Sequence, residues 1–134
     1  MRFLTVTVAV IHSFKQFFFQ TKTPVMKCLN KVQLIGYLGK NPEIFTLKDG
    51  KLMARISMAT DAFVHQQGKS VKYTQWHTVK VWSQKQVEKL QNYLIKGSHI
   101  MVDGKVIYRT YVDKVGHTRY VTEINANFLV DLDR

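Results

Sequence analysis

The stretch TQWHTVKVWSQKQVEKLQNYLIKG, residues 74–97, decides the fold. Its first nine residues alternate between two sets of side chains, which is typical of a β-strand. After this strand, three apolar residues recur at helical spacing, namely Val87, Leu90 and Leu94. Ser83 and Gln86 have the spacing of a capping box at the start of that helix, and Gly97 suits its C-terminal end. We therefore expect one long strand that leads directly into one short amphipathic helix.

Outside this stretch the pattern predicts four more strands. Apolar or alternating runs cover residues 32–38, 52–58, 100–111 and 119–130. The polar segment from Phe63 to Tyr73, which contains Gln67 and Gly68, is predicted to be a loop. The order is strand, strand, strand, helix, strand, strand. It predicts an all-β protein, a five-stranded OB-fold barrel with one short α-helix between strands 3 and 4.

Composition narrows the possible functions. The chain of 134 residues is long enough for one domain, and 46% of its residues are hydrophobic. Lysine and arginine number 20 against 9 acidic residues, which gives a formal net charge of +11. Such a charge favours a polyanionic partner or an anionic membrane surface. No apolar run approaches the about 18 residues of a membrane-spanning helix, so no membrane-embedded protein is expected.

The sequence shows no cluster of residues suited to catalysis or metal binding. The 9 acidic residues are scattered and the 5 histidines share no ligand spacing, so we expect no metal, no cofactor and no enzyme activity. The single cysteine, Cys28, cannot form an internal disulfide. It favours a reducing compartment and a role as a small apolar residue.

Residues 1–25 differ from the rest and are treated as an N-terminal extension, with the domain covering residues 26–134. Three of the 20 basic residues and none of the 9 acidic ones lie in the extension, so the domain keeps a net charge of +8. A secretory signal, an organelle transit peptide and a surplus upstream segment before Met26 are all open interpretations. We favour the surplus segment, because no A-x-A cleavage site appears and serine and arginine are scarce.

The strand at residues 74–82 contains the main candidate binding residues. His77, Val79 and Val81 share one face, which the valines mark as buried, while Trp76, Lys80 and Trp82 lie on the other face with Thr78. Two indoles and an ammonium group on a non-core face fit stacked bases with adjacent phosphates, as in proteins that hold unpaired nucleic acid. The alternative is that the indoles cover a subunit contact or pack under the helix.

Two other segments add candidates to this surface. Lys105, Arg109 and Tyr111 share one face of a later strand, although an ordinary solvated hairpin explains them equally well. Phe63 lies at the start of the predicted loop, and Lys69 and Lys72 follow it within that loop. Phe63 is either a loose anchor for the loop or a further stacking residue.

Several blocks of the sequence resemble bacterial single-stranded DNA-binding proteins. The blocks are NKVQLIGYLGKNPE (residues 30–43), ISMAT (56–60), TQWH (74–77), YLIKGS (93–98) and RYVTE (119–123). They follow the family's order and spacing from about residue 29 to 132. The resemblance implies an OB-fold subunit, usually a homotetramer, that binds and protects single-stranded DNA in replication, recombination and repair without catalysis or cofactor.

The resemblance also implies roles for individual residues. Trp76, Trp82 and Tyr111 match stacking positions. Basic positions along the DNA path are matched by Lys31, Lys96 and Arg109. His77 matches a histidine near the subunit contact, which agrees with its position on the inward face of its strand. Direct counting gives the loop stacking position to Val64, whereas a shorter loop gives it to Phe63, which we favour.

Family members that recruit replication proteins usually carry a flexible tail with an acidic tip. This sequence ends at Arg134, which puts tail-mediated replication partners in doubt. The quoted blocks are closer to bacterial than to mitochondrial versions, so we expect a cytoplasmic, nucleoid-associated protein. An RNA-binding or primosome-accessory OB protein, a small basic nuclease and a purely structural subunit are the competing hypotheses.

Overall fold

The computed structural model describes residues 27–134, which form six strands and one helix. The predicted boundary at residues 1–25, and the choice among signal, transit peptide and surplus segment, lie outside the described residues. The elements are β1 (Val32–Leu38), β2 (Glu43–Thr46), β3 (Leu52–Gln66), β4 (Lys69–Val81), α1 (Gln84–Tyr93), β5 (His99–Val112) and β6 (Thr118–Asp131). None of the described helices is long and apolar enough to cross a membrane.

Five of the strands close into a barrel. The sheet order is β1-β5-β6-β4-β3-β2, and an additional pairing of β1 with β3 closes the first five of these strands into the barrel, with β2 outside it. That closure is short, because only Tyr37 with Ala59 and Leu38 with Met58 are paired. All pairings are antiparallel except that of β4 with β6. The predicted OB-fold barrel is confirmed, and the short β2, which the sequence did not indicate, pairs along β3.

Strand alternation produces the core. One face of β3 and β4 supplies fully buried side chains, and so do β5 and α1. The main members of this cluster are Ala54, Ile56, Met58, Val79, Val81, Val87, Leu90, Ile100 and Val102. The helix closes one side of the barrel with the predicted residues Val87, Leu90 and Leu94. Burial of each such side chain contributes about 1.5–3 kcal/mol before the entropy of folding is considered.

The start of α1 differs from the predicted capping box. Ser83 occupies the N-cap position, but its side chain makes no capping hydrogen bond. The Gln86 side chain instead donates from Nε2 to the carbonyl oxygen of Asn127, at 2.9 Å. The prediction of a capping box was therefore wrong, because Gln86 links the helix to β6 rather than to its own first turn.

The predicted loop from Phe63 to Tyr73 was also wrong. β3 and β4 pair along this whole length, up to Gln66 opposite Lys69. The turn consists only of Gln67 and Gly68, with φ of 49° and 73°. Two consecutive left-handed residues form the tight connection that follows the right-handed twist of the strands. The sequence of this hairpin shows no apolar alternation that would predict strands, because both of its faces are exposed to solvent.

Candidate nucleic-acid interface

The outward face of β4 carries both tryptophans. Trp76 is 62% exposed and Trp82 is 46% exposed, whereas Val79 and Val81 on the opposite face are fully buried. This is the division that alternation predicts. This exposure argues against packing of the indoles under α1, whereas the alternative that they cover a subunit contact stays open. The two rings form broad apolar surfaces open to solvent, and such surfaces are matched by the flat faces of unpaired bases.

Each indole is positioned from behind by another element. The six-membered ring of Trp76 lies against Gly39, where an added Cβ would be only 2.2 Å from Cζ3. The Nε1 of Trp82 donates a hydrogen bond to Oδ1 of Asn125 on β6, at 3.3 Å. Both rings are therefore restrained on one side while much of each stays exposed, which lowers the conformational entropy lost when a base stacks.

Lys80 does not provide the free ammonium group that the sequence suggested. Its side chain is only 16% exposed, and Nζ lies 2.9 Å from Oε2 of Glu123. Arg109 donates to the same carboxylate, from Nη2 to Oε1 at 2.6 Å. Glu123 is buried beneath the two cations. The hydrogen bond from Arg109 and the contact with Lys80 lower the pKa of Glu123 against the effect of its burial.

The β5–β6 hairpin brings its predicted residues to the same face. Lys105, Arg109 and Tyr111 alternate along β5 and are all exposed. The guanidinium carbon of Arg109 lies 5.9 Å from the centre of the Tyr111 ring. The carboxylate of Glu123 fixes the other edge of that guanidinium. Arg109 is thus oriented beside a ring that can stack a base.

A groove connects this hairpin to β3 and to the loop before β2. It is lined by Lys40, Arg55, Ser57, Thr78, Arg109, Tyr111, Val121 and Glu123. The floor consists of small and hydroxyl-bearing side chains, and the walls carry arginine, lysine and tyrosine. Cationic walls around a shallow floor suit a flexible polyanion such as a nucleic-acid strand. Among residues 27–134, no group of three His, Cys, Asp or Glu residues could hold a metal ion.

Comparison with known proteins agrees with this geometry. Residues 29–132 match the Single-strand binding protein family. The chain belongs to this family. Single-stranded DNA-binding protein 1 of Xylella fastidiosa is 41% identical over 103 residues, which cover 75% of each protein.

Solved structures of similar proteins share the fold of this single-strand binding protein. A Plasmodium falciparum SSB in complex with ssDNA superposes with a TM-score of 0.73 and is 32% identical, over 81% of this chain and 98% of that one. A deletion mutant of the single-stranded DNA binding protein from Thermus aquaticus gives a TM-score of 0.68 at 25% identity, over 78% of this chain and 50% of that one.

The β3–β4 hairpin places Phe63 on the tryptophan face of this single-strand binding protein. Phe63 is 67% exposed and pairs with Lys72, in the same alternation as Ala59 and Trp76. Val64 lies on the opposite face, so the register favours Phe63 as the stacking candidate. The Lys72 ammonium group lies 2.9 Å from Oδ2 of Asp61 and is therefore paired in the free protein.

The remaining basic candidates lie at the margins of this surface. Nζ of Lys31 lies 3.3 Å from Oδ2 of Asp103. Lys96 follows α1, and its backbone N–H donates to Oδ1 of Asn41 at 2.8 Å, which holds it beside the loop before β2. Within residues 27–134, Lys96 and Lys105 make no ion pair. The structure thus separates the basic candidates into paired and unpaired groups.

His77 and Cys28 complete the predicted residues. His77 is partly buried, and its Nε2 lies 2.8 Å from the Thr60 hydroxyl oxygen. Burial lowers the pKa of His77, so the neutral imidazole is favoured. Cys28 is exposed rather than part of the apolar core. It lies before β1, where the chain has not yet entered the barrel.

Sequence reasoning included only Phe63 of β3 in the candidate site and no residue of β2, so it missed Arg55 and Phe45. Arg55 lies in the groove, with its guanidinium carbon 5.2 Å from the centre of the Phe45 ring. Glu43 accepts a hydrogen bond from Nε of Arg55 at 2.7 Å and also contacts Lys40. A basic residue on the non-core face of β3 was the available signal. Its aromatic neighbour could not be found without recognising β2.

Proposed function

We propose that this protein binds single-stranded DNA without reading its sequence and protects it during replication, recombination and repair. The observation that carries the proposal is the pair of outward indoles, Trp76 and Trp82, positioned from behind on a cationic sheet face. Bases stack on the two indoles, on Tyr111 and on Phe63. Phosphates pair with the neighbouring cations Lys31, Lys72, Lys96, Lys105 and Arg109, whereas Lys80, which is largely buried, holds Glu123 in place beneath them.

The physical basis is stacking combined with charge neutralisation. Each stacked base contributes on the order of 1–3 kcal/mol and every base has a π-face, so stacking tolerates any sequence. Phosphate contacts add affinity that falls with salt, with a log–log slope of about −0.7 per phosphate neutralised on a single strand. A duplex hides its base faces, so this surface favours unpaired strands. Binding alone accounts for the function, and we propose no catalytic step.

The assembly we propose is a homotetramer. Along β1, residues 32–37 pair with β5, whereas only Tyr37 and Leu38 pair with β3. Most of one edge of β1 is thus free to pair with another strand. Ile35 and Tyr37 are exposed on the outward side of β1, and a second copy would cover them. His77, which is still partly exposed, is proposed to lie near that contact.

The molar mass in solution tests this assembly. Light scattering after size exclusion should give four times the chain mass for the intact protein. Ile35→Glu places a charge in the proposed contact and should give a smaller species with an unchanged circular dichroism spectrum. A monomeric intact protein would contradict the proposal. We place the protein in the bacterial cytoplasm, associated with the nucleoid, rather than in mitochondria.

A fluorescence titration with oligothymidine tests the function itself. Indole emission should be quenched as bases stack, and the affinity should fall between low and high salt with the slope given above. A duplex of equal length is the control and should compete poorly. A matched oligouridine distinguishes an RNA-binding role, because only RNA offers the 2′-hydroxyl. Unchanged fluorescence and salt-independent binding would both contradict the proposal.

A further inference from the structure

The outward face continues beyond β4 onto β3 and β2. Arg55 is directly opposite Lys80 in the β3–β4 register, and Glu43 is opposite Arg55 in the β2–β3 register. Paired residues face the same side of a sheet. Phe45, two residues after Glu43, therefore also points outward, and it is 39% exposed. This region has an aromatic ring and a cation on the surface that carries the tryptophans.

Two similar pairs lie on opposite sides of the groove. On one side the Arg109 guanidinium lies near the Tyr111 ring, and on the other the Arg55 guanidinium lies near the Phe45 ring. Ser57 and Thr78 are neighbours in the β3–β4 register and form the floor between them. A DNA strand with a base stacked on Tyr111 can therefore continue across the floor of the groove to Phe45 without leaving the cationic surface.

The charges at the second pair favour an anion. Glu43 contacts both Lys40 and Arg55, and these two cations lower its pKa through hydrogen bonds, first from Lys40. The three charges leave an excess of one positive charge. Arg55 uses its Nε and Nη2 atoms on Glu43. Because a guanidinium group has five N–H donors, Arg55 retains others for a phosphate while Glu43 holds its orientation.

We infer that Phe45 and Arg55 form a further nucleotide subsite for single-stranded DNA. The base stacks on the Phe45–Arg55 pair, and the adjacent phosphate is bound by Arg55 and Lys40. The subsite extends the strand path from β5 across the groove to β2. This inference rests on the proposed function and adds to it one subsite at the edge of the sheet.

Two substitutions with matched controls test the subsite. Phe45→Ala removes the ring, and Tyr120→Ala removes an exposed aromatic side chain from the opposite face of the β5–β6 hairpin. Arg55→Gln removes one cation, and Lys89→Gln removes one from the exposed side of α1. Thermal unfolding of these four variants, and of the conservative variant Arg55→Lys, verifies that each remains folded. Oligothymidines of increasing length are then titrated at several salt concentrations.

The expected results differ between the two substitutions. Phe45→Ala should weaken binding of the longest oligothymidine about fivefold or more, and it should shorten the length at which affinity stops rising. Arg55→Gln should make the salt slope shallower by about 0.7, while Arg55→Lys should retain the slope. The two control variants should bind like the intact protein.

A direct readout locates the base. Oligothymidine with a single 5-iodouracil is irradiated in the complex, and the cross-linked peptides are identified by mass spectrometry. An adduct on the peptide that contains Phe45 supports the subsite. Adducts confined to the tryptophan and tyrosine peptides, with Phe45→Ala equal to Tyr120→Ala, would overturn it and leave the proposed function intact. If the intact protein fails to bind any oligothymidine, the proposed function itself is wrong.

Discussion

Replacing Glu123 by glutamine should destabilise the barrel, because one buried carboxylate holds two cations from two strands. Lys80 of β4 and Arg109 of β5 both contact it, at 2.9 and 2.6 Å. Removing one partner of a fully buried ion pair costs about 3–5 kcal/mol. Here the Lys80 side chain retains some exposure and about half of Arg109 is exposed, so water compensates part of the loss. We expect a loss of roughly 1–3 kcal/mol in the free energy of unfolding.

The assay is thermal unfolding followed by circular dichroism. For a domain of this size, such a loss lowers Tm by on the order of 5–15 °C. Glu88→Gln on the exposed side of α1 is the matched control, since it removes the same charge from a solvated position. At pH 7 the Glu123 variant should unfold well below this control.

The pH dependence tests the cause. The pKa of Glu123 in the folded protein lies below the ordinary glutamate value of 4.5, so its contribution to stability is complete above that value. The contribution is lost as the pH falls from there through the folded pKa, because the carboxyl group then becomes protonated. The difference in Tm between the intact protein and Glu123→Gln should shrink over this acidic range. Equal Tm values for Glu123→Gln and Glu88→Gln at pH 7 would refute the reasoning.

Three further substitutions and one titration test the site. Trp76→Ala and Trp82→Ala should each weaken oligothymidine binding about tenfold with an unchanged Tm, and a loss under twofold in a fluorescence-anisotropy titration would contradict the stacking role. Gly39→Ala should push the Trp76 ring away from its support and reduce both affinity and indole quenching, whereas quenching equal to that of the intact protein would show that the ring finds another equivalent position. NMR titration should give His77 a pKa below 6.5, because burial disfavours its charged form. The folded state should therefore lose stability as the pH falls through the unfolded value of that group, and a pKa above 6.5 would mean that a carboxylate or a second subunit contacts His77.

The sequence was sufficient to predict which side of each central strand is buried. Val79 and Val81 alternate with Trp76 and Trp82, and a strand has only two faces, so the core position of the valines placed the indoles outward. The pairing of Lys80 was not predictable in the same way. Its partner, Glu123, is on β6, and the two meet only because β4 and β6 lie side by side in the barrel. Local alternation carries no information on such long-range pairing.

The β3–β4 hairpin shows a second limit of local reasoning. The composition of its polar residues is typical of a loop. Its two strands extend beyond the barrel, where neither face is buried. Without a buried face there is no apolar alternation to detect. Only Gln67 and Gly68, at the two-residue turn, indicate the hairpin. The missed strand β2 is similar, since four residues are too few to show a period.

Ion pairing divides the cations of the proposed DNA surface into two kinds. A lysine held by a carboxylate, such as Lys72 on Asp61, must exchange that partner for a phosphate, so the Coulombic gain is partly cancelled. An arginine such as Arg109 can keep its carboxylate and bind a phosphate with its remaining donors. Lys96 and Lys105 have no such partner among residues 27–134. The salt dependence of binding should therefore depend mainly on the arginines and the unpaired lysines, and the carboxylates maintain the geometry in which those cations meet the strand.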